Sequence, residues 1–205
     1  MGVSGERVID KMKPIALFYF YQELAEQCMF ARMAKIDIKA CNIMDTHGLN
    51  RHYYYLQSLL TALGNISKIL WPIVKKGDEQ GNEIRENRGK ELREALNVRG
   101  DAALRSRKLR DTFEHFDERM DTWFGKEERH GFSDRNLGSM KGVIIPSKKD
   151  RLRTFDPETW TLTYLRKKYE VGPAIRAAYE LYEAIQEKTG QPGKKVQPLP
   201  GELDE

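Results

Sequence analysis

Residues 50–73 read NRHYYYLQSLLTALGNISKILWPI, and through them Leu56, Leu59, Leu60, Leu63, Ile66, Leu70 and Ile73 recur at three- and four-residue steps. That period places one apolar stripe on a helix. Asn50 is positioned to cap it, Pro72 to distort its last turn, and Lys75-Lys76-Gly77 to end it. Upstream, the stretch from Pro14 to Met44 puts Phe18, Ala25, Met29, Ile36, Ala40 and Ile43 on one face, with Pro14 where a helix start tolerates it. Two long helices joined by a short turn pack as an antiparallel pair. The fold class that follows is mainly α, an antiparallel helical bundle.

Working outward, residues 77–100 turn polar and are interrupted by Gly77, Gly81, Gly89 and Gly100, so they read as a loop or a weak helix at Lys90 to Val98. Leu109, Phe113, Phe116, Met120 and Trp123 then form a narrow stripe, which predicts a third substantial helix from Ala102 to Phe124. Near the C-terminal third the pattern changes. Gly142 to Pro146 is a short apolar run, and Trp160, Leu162 and Tyr164 alternate with Thr161 and Thr163 beyond an Asp156-Pro157-Glu158-Thr159 turn. A small β-hairpin within about residues 142–170 is expected. Gly172-Pro173 opens a last helix in which Ile175, Ala178, Tyr182 and Ile185 share a side. One domain over residues 1–188 and a disordered Gly- and Pro-rich tail at 189–205 complete the organisation.

Of the 205 residues, 40% are hydrophobic and 32% charged, with a mean hydropathy of −0.67. A core is affordable, but no run approaches the roughly 18 apolar residues of a spanning helix, which excludes a membrane-embedded protein. The opening MGVSGERVIDKMKP lacks an apolar signal region, so a cytoplasmic location is expected. Cys28 and Cys41 would lie about 20 Å apart along one helix and read as unbridged apolar residues. Together with His47, His52, His115 and His130 they make no metal-ligand spacing, and neither a structural metal nor a cofactor is expected.

The third helical stretch carries the chemistry. It reads Leu109-Arg110-Asp111-Thr112-Phe113-Glu114-His115, an R-x-x-x-x-H spacing with a polar residue directly after the arginine. This resembles the signature of the HEPN family, over roughly residues 14–125. The resemblance implies a four- or five-helix bundle that dimerises and, in many members, a metal-independent endoribonuclease of toxin or phage-defence type. It assigns catalysis to Arg110, Asp111 and His115, and implies RNA as substrate, a homodimer, and an antitoxin or sensor protein as regulator. Some HEPN toxins carry a regulatory tyrosine two residues after the histidine; this chain has Asp117 there.

Cleavage of this kind proceeds by attack of a 2′-hydroxyl on its neighbouring phosphate. Imidazole serves as acid or base near neutral pH, and arginine is a permanent cation suited to phosphate oxygens. At about 100° per residue, Arg110 and His115 diverge by about 140° on a straight helix and would not readily grip one phosphate together. Residues from a second chain related by a two-fold axis could complete the site, matching the dimeric site that the resemblance implies. Two other readings stand beside this one. Arg110 with Glu114, and Asp111 with His115, suit a solvated face at i,i+4; and a non-catalytic HEPN-like module would use the same surface to dimerise or dock a partner protein or RNA.

Residues 99–153 hold 14 Lys and Arg against 10 Asp and Glu, a surplus equal to the whole net charge of +4. Arg105, Arg107 and Lys108 precede the motif, while Lys148, Lys149 and Arg151 line the hairpin approach; these are the candidate RNA-binding residues. The run His52-Tyr53-Tyr54-Tyr55 can stack bases or divide between core and interface.

Overall fold

The computed structural model describes residues 11–99, 103–106, 111, 115–126, 131–138 and 150–190. It is mainly helical, with a small four-stranded mixed sheet in the C-terminal part. Helix α1 spans Pro14–Ala40 and α2 spans Gly48–Leu70. They run antiparallel, since Asn65 donates to Gln27 near mid-helix while the Cys41 thiol donates to the Gly48 carbonyl at the link. Gly48 is required there: a Cβ on it would stand 2.1 Å from the Asn42 carbonyl oxygen.

Leu56, Leu59, Leu60, Leu63, Ile66 and Leu70 are all buried, as their spacing predicts. Each such side chain contributes about 1.5–3 kcal/mol by leaving water. Three details of the helix differ. It ends at Leu70, before Pro72; Ile73 is exposed; and Asn50 accepts a hydrogen bond from Arg135 of the sheet region instead of capping. The face of α1 also differs from the expected one. Tyr21, Leu24, Cys28, Ala31, Ala34 and Ile38 point inward, whereas Phe18 is exposed and Ile43 lies beyond the helix end. Apolar residues fall on every side of α1, so periodicity could not choose between faces. Both cysteines are free, and burial pushes the Cys28 thiol up to about 12, which makes it inert.

Helix α3 occupies Glu79–Ala95 and is longer than the Lys90–Val98 segment expected. Asp78 caps it by accepting from the Gly81 N–H at 3.1 Å. Gly89 does not break this helix, because it is where α3 closes on the end of α2. A Cβ there would stand 2.7 Å from both the Leu70 carbonyl oxygen and Pro72 Cδ. Gly89→Ala therefore destabilises the fold by about 1–3 kcal/mol through overpacking, although helix propensity alone favours alanine by about 1 kcal/mol. Chemical denaturation decides the sign, and a stabilised variant would contradict this packing.

The single helix expected from Ala102 to Phe124 is not continuous. A 3₁₀ turn at Ala103–Arg105 leads to non-helical Ser106, Asp111 is helical, His115 sits in a turn, and helix α4 covers Phe116–Lys126. Of the stripe, Trp123 is buried but Phe116 is 58% exposed; Leu109 and Phe113 lie outside the described residues.

The expected hairpin is one part of a larger sheet. Strands β1 (Asn136–Leu137), β2 (Arg153–Asp156), β3 (Thr161–Tyr164) and β4 (Lys167–Glu170) lie in that order, β1 parallel to β2 and the others antiparallel. Leu162 and Tyr164 face inward and Thr161 and Thr163 outward, as their alternation predicts. The unforeseen strand, β4, follows a two-residue turn of Leu165 and Arg166, both at positive φ. The expected apolar run at 142–146 lies outside the described residues, as does the tail beyond 190. Helix α5, Gly172–Lys188, buries Ile175, Ala178, Leu181 and Ile185, with Leu181 in the place expected for Tyr182. One apolar core joins α1, α2, α5 and the sheet.

The start of α2 is fixed to the sheet by a polar network. Asp134 and Arg153 form a two-bonded ion pair, Arg153 lies 5.6 Å over the Tyr53 ring, and the Tyr53 hydroxyl donates to the Asn136 carbonyl at 2.8 Å. Beside it, His52 is buried against Phe155, with neither ring nitrogen hydrogen-bonded. Burial holds the His52 pKa below its usual value. In the unfolded chain it takes a proton near pH 6.5, whereas the folded protein excludes that proton to lower pH. Its contribution is intact above about pH 6.5 and declines as pH falls towards the folded value, at up to about 1.4 kcal/mol per pH unit. Denaturation of wild type and His52→Phe from pH 7.5 to 5 measures this, and the variant is expected to lose less stability; parallel curves would contradict it.

Candidate functional site

Helix α4 is held at its far end by aromatic packing. Trp123 lies 4.8 Å from Phe124 and 6.2 Å from Phe132, centroid to centroid. One turn earlier, Met120 meets the Tyr164 hydroxyl of β3. With that face down on the sheet, the first turn of α4 stands beside the tight turn between β3 and β4. His115 opens there onto a cleft of about 620 Å³, lined also by Arg119, Tyr164, Arg166, Lys167 and Tyr169. A second cleft, of about 880 Å³, adjoins it. Leu60, Leu63, Leu104, Val171 and Ala174 give that cleft an apolar floor, and Asp111 and Lys168 line it as well.

Three side chains, Arg119, Lys167 and Tyr169, line both clefts. His115 and Arg119 are four residues apart, and the Arg119 N–H donates to the His115 carbonyl at 3.3 Å, so the two project from neighbouring positions on one side of the helix start. The imidazole is exposed, and its Nδ1 lies 3.5 Å from Glu118. The buried Nε of Arg119 has no hydrogen-bond partner. Tyr164 is held above the usual tyrosine range by burial, against the opposing pull of Arg153 and Arg119. Among the described residues the clefts present Arg119, Lys126, Arg166, Lys167 and Lys168 against Asp111, Glu118 and Glu170, a net positive lining beside the His115 imidazole. Such a surface attracts and orients phosphates.

The sequence-selected residues divide. His115 and Asp111 line adjoining clefts. Arg110, Arg107, Lys108, Lys148 and Lys149 lie outside the described residues. Arg105 is in the 3₁₀ turn, close enough to Arg93 for its charge to lower that guanidinium's pKa after the larger effect of burial. Arg151 pairs with Ser133 in a β-bridge. Neither Arg105 nor Arg151 lines the His115 cleft. The aromatic run is also elsewhere: His52 and Tyr53 are core residues, and Tyr54 and Tyr55 line a groove between α1 and α2.

Arg119, Arg166 and Lys167 were missed. The i,i+4 step from His115 was available for Arg119, but Arg166 lies in the turn before β4 and Lys167 is the first residue of that strand, neither of which the sequence pattern marks. Among the described residues no cluster of three or more His, Cys, Asp or Glu side chains is arranged to hold a metal ion, and no helix is long and apolar enough to cross a membrane. Comparison of the chain with family models, with curated proteins and with solved structures returns no match.

Proposed function

We propose that this protein is a metal-independent endoribonuclease of toxin or phage-defence type, built on a HEPN-like antiparallel helical bundle, with His115 as its acid–base group. The observation that carries the reading is the exposed imidazole in a cleft of cationic and tyrosine side chains. In the reaction, His115 takes the proton of a ribose 2′-hydroxyl, the 2′-oxygen attacks the adjacent phosphorus, and the bond to the 5′-oxygen breaks. The products are a 2′,3′-cyclic phosphate and a 5′-hydroxyl, whose proton comes from a general acid. Cationic groups around the phosphate stabilise the charge that develops on its oxygens. A homodimer places a second His115 opposite the first to serve as that acid, and brings Arg110 and Asp111 of both chains towards it. An antitoxin or sensor protein would control such an activity.

A second reading, RNA or protein binding without cleavage, is favoured by one feature: among the described residues, His115 is the one imidazole that lines the cleft. Incubating a mixed RNA pool with wild type and with His115→Ala, EDTA present in both, separates the two. The first reading predicts cyclic-phosphate ends from the wild type alone. Equal background from both proteins would contradict it.

A further inference from the structure

The two clefts meet at Arg119 and Lys167. We propose that these residues form a phosphate clamp that grips the RNA backbone within one chain, beside His115; this rests on the reading of the His115 cleft as an RNA site. Arg119 and Lys167 are the two cations that line both clefts, so a strand passing from one to the other crosses between them. On the His115 side Lys126 and Arg166 stand among aromatic and apolar walls that include Trp123, Tyr164 and Leu165, and on the other side the floor is Leu60, Leu63, Leu104, Val171 and Ala174. A fixed charge between an imidazole and an apolar floor suits a nucleotide unit, its phosphate on the charge and its base on the floor against Tyr169.

The state of Arg119 supports a ligand. Its Nε is buried with no hydrogen-bond partner among the described residues, and a buried donor left in that state is destabilising. A phosphate oxygen at the junction would satisfy it, and the planar guanidinium can offer a second bond to the same phosphate. Lys167 reaches the junction through the turn at Leu165 and Arg166, whose φ angles are 47° and 71°. Left-handed backbone is unfavourable for a non-glycine residue, and Asn-Gly would relieve it in a hairpin of this length. Leu165, Arg166 and Lys167 all line the His115 cleft, so the strained turn is where the chain meets the site.

Among the described residues, three carboxylates oppose an anion here: Glu118 is exposed to water on the His115 side, and Asp111 and Glu170 line only the apolar-floored cleft, against five cations that line the two clefts. Arg119, one turn after His115, faces the same cleft within one chain.

The test is fluorescence anisotropy of a labelled single-stranded 2′-O-methyl RNA, which cannot be cut by this chemistry, over about 50–200 mM salt. Wild type, Arg119→Gln, Lys167→Gln and the charge-matched control Lys90→Gln are compared, the last on α3 outside both clefts. Arg119→Gln is expected to weaken binding about 10-fold and Lys167→Gln about 3-fold. Each should lower the slope of log affinity against log salt by about 0.7, the loss of one single-strand phosphate contact. Lys90→Gln should change neither. Lys167 is exposed at a turn, so its variant still answers should Arg119→Gln melt early.

Wild-type affinity and slope in either clamp variant would overturn the proposal, as would a wild type that binds no RNA. Cleavage separates this result from the catalytic reading. Binding that depends on Arg119 in a chain that cuts nothing keeps the clamp and removes the chemistry. Cleavage that depends on His115, with normal binding in both clamp variants, does the reverse.

Discussion

Under the proposed function, His115→Ala is expected to slow RNA cleavage by about 10²–10⁴-fold, the usual contribution of a positioned acid–base group. The loss should fall on kcat, because the imidazole acts on a proton in transit, while the cations that hold the phosphate remain in place. Stability should barely change. The His115 side chain is 57% exposed and its neighbour Glu118 is 75% exposed, so their interaction is screened by water. Single-turnover cleavage and a thermal melt of the same samples check both halves. A variant that cuts as fast as wild type, or one that loses activity only by unfolding, would remove His115 from the chemistry.

Phe155→Ala costs about 3–5 kcal/mol of folding stability. Phe155 is fully buried at the centre of β2, where it faces Leu162 across the pair of strands. Its ring lies 5.6 Å from that of His52 on α2 and 5.8 Å from that of Trp160, so truncation opens a cavity between sheet and helix. β2 also carries Arg153, and β3 carries Tyr164, so the same change loosens the wall of the His115 cleft. Urea denaturation gives the magnitude. A loss below about 1 kcal/mol would mean that the sheet is an appendage with little share in the core.

How much of this could be read beforehand varied with how strongly each segment's pattern constrained it. The leucine stripe of α2 named six buried residues, Leu56, Leu59, Leu60, Leu63, Ile66 and Leu70, and failed at Ile73, which lies past the helix end. α1 offered several faces, and the one chosen was wrong. In α3 the glycines suggested a break, whereas Gly89 is there for close approach to Leu70 and Pro72, a tertiary reason that no local pattern carries. The stripe ending at Trp123 suggested one helix, yet His115 lies in a turn and Phe116 faces water. In the sheet, Trp160 to Tyr164 announced one strand. The Leu165–Arg166 turn went unseen because it lacks the Asn or Gly that usually marks such a conformation.

The site was legible in the same uneven way. His115 and Asp111 were found from a short spacing, and both line the paired clefts. Arg119 was overlooked because the motif looks only backwards from its histidine. Lys167 joins the site through packing between elements some fifty residues apart, which is beyond the reach of a linear motif.

The most direct test of the central claim, that RNA is handled at His115, is a histidine side-chain NMR titration with a non-cleavable single-stranded RNA. The protein has four reporters: His47, His52, His115 and His130. The account predicts that the His115 imidazole signals move in proportion to bound RNA, while those of His52, buried in the core, stay in place. Signals of His115 that remain fixed as RNA binds, with changes confined to the other histidines, would contradict it.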